Sequence, residues 1–259
     1  MMLEASGLEY SYKKNKVLKG VNFSGAGGEC ICVLGENGAG KTTLFRCLLG
    51  LLDDYRGNIF VDGVNGKHLS TRETAKKIAY IPQAHAPVFN YSVFETILMG
   101  TNALMGKFGT PGRAERETTR QMLELMNIEH LVERGYAELS GGERQLVLIA
   151  RALAQKSRIL IMDEPTANLD YGNQFRVMRQ VRQLTKKGYL VVLSTHNPEH
   201  ALFYADKVLV LKEGRTAMYG NPESVLNPVM IESIYGVSVD LQTIRAPWGS
   251  VPVFVPCFE

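Results

Sequence analysis

The sequence predicts an α/β fold: a mostly parallel sheet, preceded by an antiparallel β part and interrupted by a helical insertion. Three observations carry this. Short all-apolar runs recur at residues 30–34, 159–162, 190–193 and 208–211, as expected of strands buried on both faces. The amphipathic stretch 174–184 lies between the second and third of them, where a parallel pair needs a crossover helix. Between about residues 85 and 155 the strand signal fades, and 114–126 and 143–154 carry helix formers with apolar residues three and four apart.

In chain order, residues 3–34 alternate apolar and polar positions around turn signals at Lys13-Lys14-Asn15 and residues 25–28, which reads as strand, turn, strand, turn, buried strand. Residues 35–43 form a glycine-rich loop, after which Leu44, Phe45, Leu48 and Leu49 recur at helical spacing. The insertion and the parallel strands follow. Beyond the last apolar run a turn falls at Glu213-Gly214, and the tail is weakly patterned, interrupted by Pro228, Pro247, Pro252 and Pro256. A lid, a docking strand and a regulatory element all remain open for it.

Composition narrows the functional classes. With 259 residues, 45% hydrophobic and 21% charged, the chain reads as one globular domain or two small ones, not as disorder, collagen or coiled coil. A net charge of +3 selects neither nucleic acid nor an anionic membrane as partner. Cys30, Cys32, Cys47 and Cys257 make no C-x-x-C pair, so a reducing cytoplasm is expected in place of a disulfide framework or zinc knuckle. The amino terminus lacks a secretory pattern and the best uncharged run, 78–94, is broken by prolines and polar residues. A membrane role is therefore expected only through a partner.

Gly35-Glu36-Asn37-Gly38-Ala39-Gly40-Lys41-Thr42-Thr43 has the spacing of a phosphate-binding loop. Its glycines let backbone N–H groups turn inward around nucleotide phosphates, Lys41 is placed for the β- and γ-phosphates and Thr42 for Mg²⁺. Such a match arises by chance in on the order of one chain per hundred of this size, and the strand before and helix after make chance rarer still. Downstream, the strand 159–162 ends in Asp163-Glu164, placing two acids at the carboxyl edge of the sheet. Asp163 is the candidate for holding the metal and Glu164 for deprotonating an attacking water. Without the loop upstream, two acids at a strand end would be an ordinary solvated pair.

Leu139-Ser140-Gly141-Gly142-Glu143 lies between them, and here the chain resembles the ATP-binding cassette (ABC) proteins. A lone Ser-Gly-Gly is more often a loop, but its place in this motif order matches the family's signature. The resemblance spans about residues 3–225. It implies a P-loop NTPase (RecA-like) core with an N-terminal antiparallel β subdomain and an inserted α-helical subdomain at about 85–154, followed by an extension from 226 to 259. It also implies ATP and Mg²⁺ as cofactors. Tyr12 resembles the aromatic that stacks on adenine, with Tyr10 as rival. Gln83 resembles the glutamine that touches Mg²⁺ and water and couples ATP to the partner, His196 the histidine at the γ-phosphate, and Asn168-Leu169-Asp170 the loop crossing a dimer interface. Glu143 stands where many relatives have Gln, and Asn168 where Ala or Ser is frequent.

The resemblance further implies an ATP-hydrolysing transport subunit on the cytoplasmic face of the membrane. Its partners would be a second copy in a nucleotide sandwich, transmembrane permease subunits and, indirectly, an extracytoplasmic substrate-binding protein. The alternative is a cassette ATPase acting on nucleic acid or ribosomes. Leu139 follows Thr42 by only 97 positions without sustained heptads, and the chain holds one cassette without a basic stripe, so the transport reading is preferred and no nucleic acid is expected. Residues 92–100 and Tyr235-Gly236-Val237 are similar to subunits importing iron-siderophore complexes, haem and cobalamin. Thr101 departs from the Arg often found there.

Overall fold

The structure, a computed structural model, describes residues 1–83, 90–105, 109–247 and 249–257. β1 (Met2–Tyr12) and β2 (Asn15–Ala26) form an antiparallel hairpin, followed by the wholly buried β3 (Cys30–Leu34) and by α1 (Lys41–Leu48). β4 (Arg56–Val61) returns to pair with β1 and β5 (Val64–Asn65) with β4. This closes a four-stranded antiparallel sheet in the order β2-β1-β4-β5, two strands more than the alternation of residues 3–34 revealed.

α2 (Thr71–Lys77) runs straight into β6 (Ile78–Ile81). The insertion holds α3 (Val93–Leu98), α4 (Arg113–Met126) and α5 (Gly141–Ala154). Ser92 caps α3 and Ser140 caps α5, each in a reciprocal pair with the glutamate three residues on. The core resumes with β7 (Ile159–Met162), α6 (Tyr171–Lys186), β8 (Leu190–Ser194), α7 (Pro198–Tyr204), β9 (Lys207–Lys212) and β10 (Arg215–Gly220).

The second sheet has the order β10-β9-β3-β8-β7-β6, parallel from β9 to β6 and antiparallel only at the β10 edge. Its residues alternate between two hydrophobic clusters. Cys30, Cys32 and Leu34 face the side covered by α5 and α6, while Ile31 and Val33 face α1 and the antiparallel sheet. Register then decides where the chemistry emerges: Ile81 pairs with Met162, Met162 with Leu193 and Val33 with Ser194. Four strands therefore end level, and the segments that follow them share one edge.

The weakly patterned tail is corrected. It forms α8 (Pro222–Val225), α9 (Pro228–Tyr235) and the antiparallel hairpin β11 (Val239–Ala246) with β12 (Gly249–Pro256). Val225, Leu226, Ile231 and Ile234 join the same buried cluster as Val208 and Val210, so the cut at 225/226 separates no independent core. Pro252 and Pro256 are tolerated because a two-stranded ribbon leaves each strand one edge without ladder bonds.

Candidate active site

The glycine-rich loop follows β3 directly. Gly38 and Gly40 have φ of 84° and 104°, and Gly35 stands so close to the Leu211 carbonyl that a Cβ there would overlap it. Lys41, 8% exposed, folds back over the loop, its ammonium donating to the Gly35 carbonyl at 2.7 Å and the Glu36 carbonyl at 3.1 Å. Burial pulls the Lys41 pKa down, while Glu164 and Asp163 push it up. α1 starts at Gly40 with no side-chain cap and no acid in its first turn, leaving its N–H groups and positive dipole end for an anion.

Two acids face this loop across the sheet edge. Asp163 accepts from the Thr42 hydroxyl at 3.1 Å, from the Ser194 hydroxyl at 2.6 Å and from the Tyr80 hydroxyl at 3.5 Å. Burial, and then Asp163, push the Tyr80 pKa up to about 12. Glu164 takes a left-handed backbone at φ 47°, costly for a side chain of this size, and its N–H donates to Ser194 Oγ at 2.9 Å. That conformation turns Glu164 toward His196, whose Nδ1 lies 3.8 Å from Glu164 Oε2. The loop lysine, Thr42, both acids and His196 are thus brought together, as the motif order predicts.

The remaining predicted residues divide. Tyr10 is 7% exposed and belongs to the core, whereas Tyr12 is 39% exposed, meets Tyr10 edge to face and accepts from Arg46 at 3.4 Å. Of these two tyrosines, Tyr12 is the one with an exposed ring. Gln83 is half-buried two residues beyond β6. Asp170 caps α6, accepting from the Asn173 N–H at 2.9 Å, and that bond holds its carboxyl below the usual range.

Ser140, Gly141, Gly142 and Glu143 lie elsewhere. Ser140 donates to the Glu143 carboxylate at 2.7 Å, which lowers the Glu143 pKa, and a Cβ at Gly142 would overlap Asn173. A cleft of about 730 Å³ is lined by Gly35, Glu36 and Asn37, by Glu164 and His196, and by residues 234–236. None of Ser140–Glu143 borders it, and Glu143 lines a separate groove against α6. Within one copy the Ser140–Glu143 turn and the glycine-rich loop therefore lie apart.

Three contributors escape sequence reasoning: Ser194, Tyr80 and the end of α9. Ser194 left a signal, a polar residue closing an otherwise apolar buried strand. Tyr80 is set by the register of β6 against β7, and residues 234–236 by tertiary packing.

The donor set suits a hard cation. Thr42 Oγ1 and Asp163 Oδ2 converge within 3.1 Å, and no cluster of three or more His, Cys, Asp or Glu among the described residues offers a full cage. Mg²⁺ prefers this arrangement, completing its shell with water and substrate phosphates.

A family profile described as ABC transporter matches residues 18–167. The chain is 38% identical over 241 residues to an ABC transporter ATP-binding protein of Haemophilus influenzae, covering 93% of this chain and 92% of that one. It is 36% identical over 264 residues to the hemin import ATP-binding protein of Gloeobacter violaceus, covering 98% and 94%. Among solved structures, a putative metal-chelate type ABC transporter in an inward-facing conformation superposes with a TM-score of 0.88 at 30% identity, covering 99% and 98%.

Proposed function

The chain belongs to the ABC transporter family and is its ATP-hydrolysing subunit, and on that premise we propose that two copies close head to tail over two ATP molecules to drive import of a metal chelate. The observation that carries this is the division of the site: Lys41, Thr42, Asp163, Glu164 and His196 gather at one sheet edge, while Ser140 caps a helix outside the cleft that Glu164 and His196 line. A second copy supplies the missing half, bringing Ser140, Gly141 and Gly142 with the positive end of α5 onto the γ-phosphate.

Each residue then has a task. Gly35–Thr43 backbone N–H groups and Lys41 hold the phosphates, with the loop's Glu36, Asn37 and Ala39 shaping the turn. Tyr12 stacks on adenine and Asp170 orders the loop at the dimer seam. Thr42 and Asp163, with Gln83, would hold Mg²⁺, which would supply neutralisation of phosphate charge. Glu164 accepts the proton of the water that attacks the γ-phosphorus as the bond to the β-phosphate oxygen breaks, and His196 keeps the γ-phosphate in line. The strained backbone at Glu164, bonded through its N–H to Ser194, keeps the base aimed without reorganisation.

Subunits of this family work with transmembrane permeases, and no helix among the described residues is long and apolar enough to cross a membrane. We place the chain at the cytoplasmic face of the cell membrane, with Gln83 passing closure to the permease and a substrate-binding protein delivering cargo outside. The groove that would receive the permease, next to Gln83 at residues 84–90, lies, apart from Asn90, outside the described residues. An iron-siderophore, haem or cobalamin cargo rests on the likeness to hemin-import and metal-chelate subunits. The relatives named above are transporter proteins by name, which favours the transport reading over action on nucleic acid or ribosomes.

The test is Glu164→Gln. Turnover should fall at least about 100-fold, the scale of a lost general base, while ATP drives a stable dimer that copurifies a multi-spanning permease from solubilised membranes. Unchanged turnover would remove Glu164 as the base. A monomer at saturating ATP would end the shared-site reading.

A further inference from the structure

Part of the lining of the cleft beside the glycine-rich loop belongs to the tail. α9 is capped at its start by Asn227, carries Pro228 in its first turn and ends at Gly236, which adopts φ 67° and bonds back to the Glu232 carbonyl at 2.8 Å. Ile231 and Ile234 bury its inner face, and Lys212 on β9 donates to the Ser233 carbonyl at 3.0 Å, tying the last turn to the sheet edge. Residues 234–236, held in this way, line the same cleft as Gly35, Glu36, Asn37, Glu164 and His196.

This placement poses an electrostatic problem for one copy. A helix carries partial negative charge at its carboxyl end; Lys212 meets the Ser233 carbonyl, and residues 234–236 beyond it line the cleft together with Glu164, where the sandwich reading puts the γ-phosphate. The opposite end of a helix, inserted between them, relieves both repulsions. α5 has such an end: it opens on Ser140, Gly141 and Gly142, and Ser140 and Gly141 are exposed. It does not border the cleft of its own copy.

We infer that residues 234–237 are a docking surface for the second copy, a seat on which the partner's α5 lands when the pair closes over ATP. This rests on the sandwich reading above and deepens it. Charge complementarity and continuity with the cleft select a second copy as the occupant. Val237, 46% exposed just past Gly236, is the apolar rim of the seat. The tail is then part of the closure mechanism.

A photo-reactive phenylalanine at Val237, in the full chain carrying Glu164→Gln, tests this. Size-exclusion with and without ATP reports closure, and peptide mapping after irradiation reports the contact. The expected result is an ATP-dependent adduct between copies that maps to 139–144. A dimer whose adducts are absent, or map to another segment, overturns the docking surface and leaves the sandwich standing. Absence of any ATP-driven dimer, in this protein and in Glu164→Gln alone, overturns the sandwich reading and the inference with it.

Discussion

Ser194→Ala isolates the device that aims the two acids. Ser194 is fully buried, donates its single proton to Asp163 at 2.6 Å and accepts the Glu164 N–H at 2.9 Å. Removing the hydroxyl takes a charge-assisted bond from Asp163, about 1.5–3 kcal/mol, and leaves a peptide N–H without its partner, about 1–3 kcal/mol. The two losses share one oxygen and are not additive, so about 3 kcal/mol is the expected destabilisation. At this chain length that lowers Tm by roughly 6–9 °C. Glu164 also loses the bond that opposes relaxation of its left-handed backbone, a strain of about 1–3 kcal/mol. Its carboxylate then leaves the attacking position part of the time, and kcat should fall about 10- to 100-fold, or roughly 1.4–2.7 kcal/mol. KM for ATP should stay within about twofold, because Gly35–Thr43 is untouched. Urea unfolding followed by intrinsic fluorescence, with steady-state phosphate release, reads all three. Stability and kcat both near parent would refute the reasoning, and a loss confined to KM would move Ser194 from positioning the acids to binding nucleotide.

Gly142→Ala should disturb dimer closure more than nucleotide binding: the added methyl overlaps the Asn173 side chain, which is bonded to Asp170, and relief costs about 1–3 kcal/mol, read as a weaker ATP-driven dimer beside unchanged monomer affinity for ATP. Tyr12→Ala should raise the Kd for ATP about 2- to 12-fold, the worth of one aromatic stack, with Tm unchanged, whereas an adenine contact made by Tyr10 would leave Kd unmoved. His200 is 3% exposed and its pKa is lowered by burial and then by His196. As pH falls below about 6.5 the unfolded chain takes up this proton first. The stability is complete above that pH and lost below it, so His200→Gln should flatten the acid side of a Tm-against-pH curve, and an unaltered slope would reassign that titration.

The parts legible in the sequence are those whose geometry is local. Gly35–Thr42 states its purpose within eight residues, and Ser140 with Glu143 encodes a helix start across one turn, which the structure returns as a capping box. Glu143 fits this local role well: as the third residue of α5 its charge suits the positive helix end, and two bonds from Ser140 stabilise it. Buried strands were readable because both faces demand apolar side chains. β11 was not, since a two-stranded ribbon buries little and its sequence carries no strong alternation. α9 did carry start and stop signals in Asn227-Pro228 and Gly236, but eight residues give too little periodicity to stand out.

What the chain order hides is what register creates. Ser194 lies 31 residues from Asp163 and nothing local links them. They meet because Met162 pairs with Leu193 in a parallel ladder, so a one-residue slip would turn Ser194 to the opposite face and orphan the Glu164 N–H. The same ladder places Tyr80 beside Asp163 through Ile81 and Met162. Catalytic geometry is therefore a property of the strand pairings that the apolar runs impose, with the reactive side chains carried at their ends. The reading of function from motif order succeeds because each motif terminates one of these strands or begins the helix packed upon it, and it stops at α9, which reaches the cleft by packing on the sheet from outside that series.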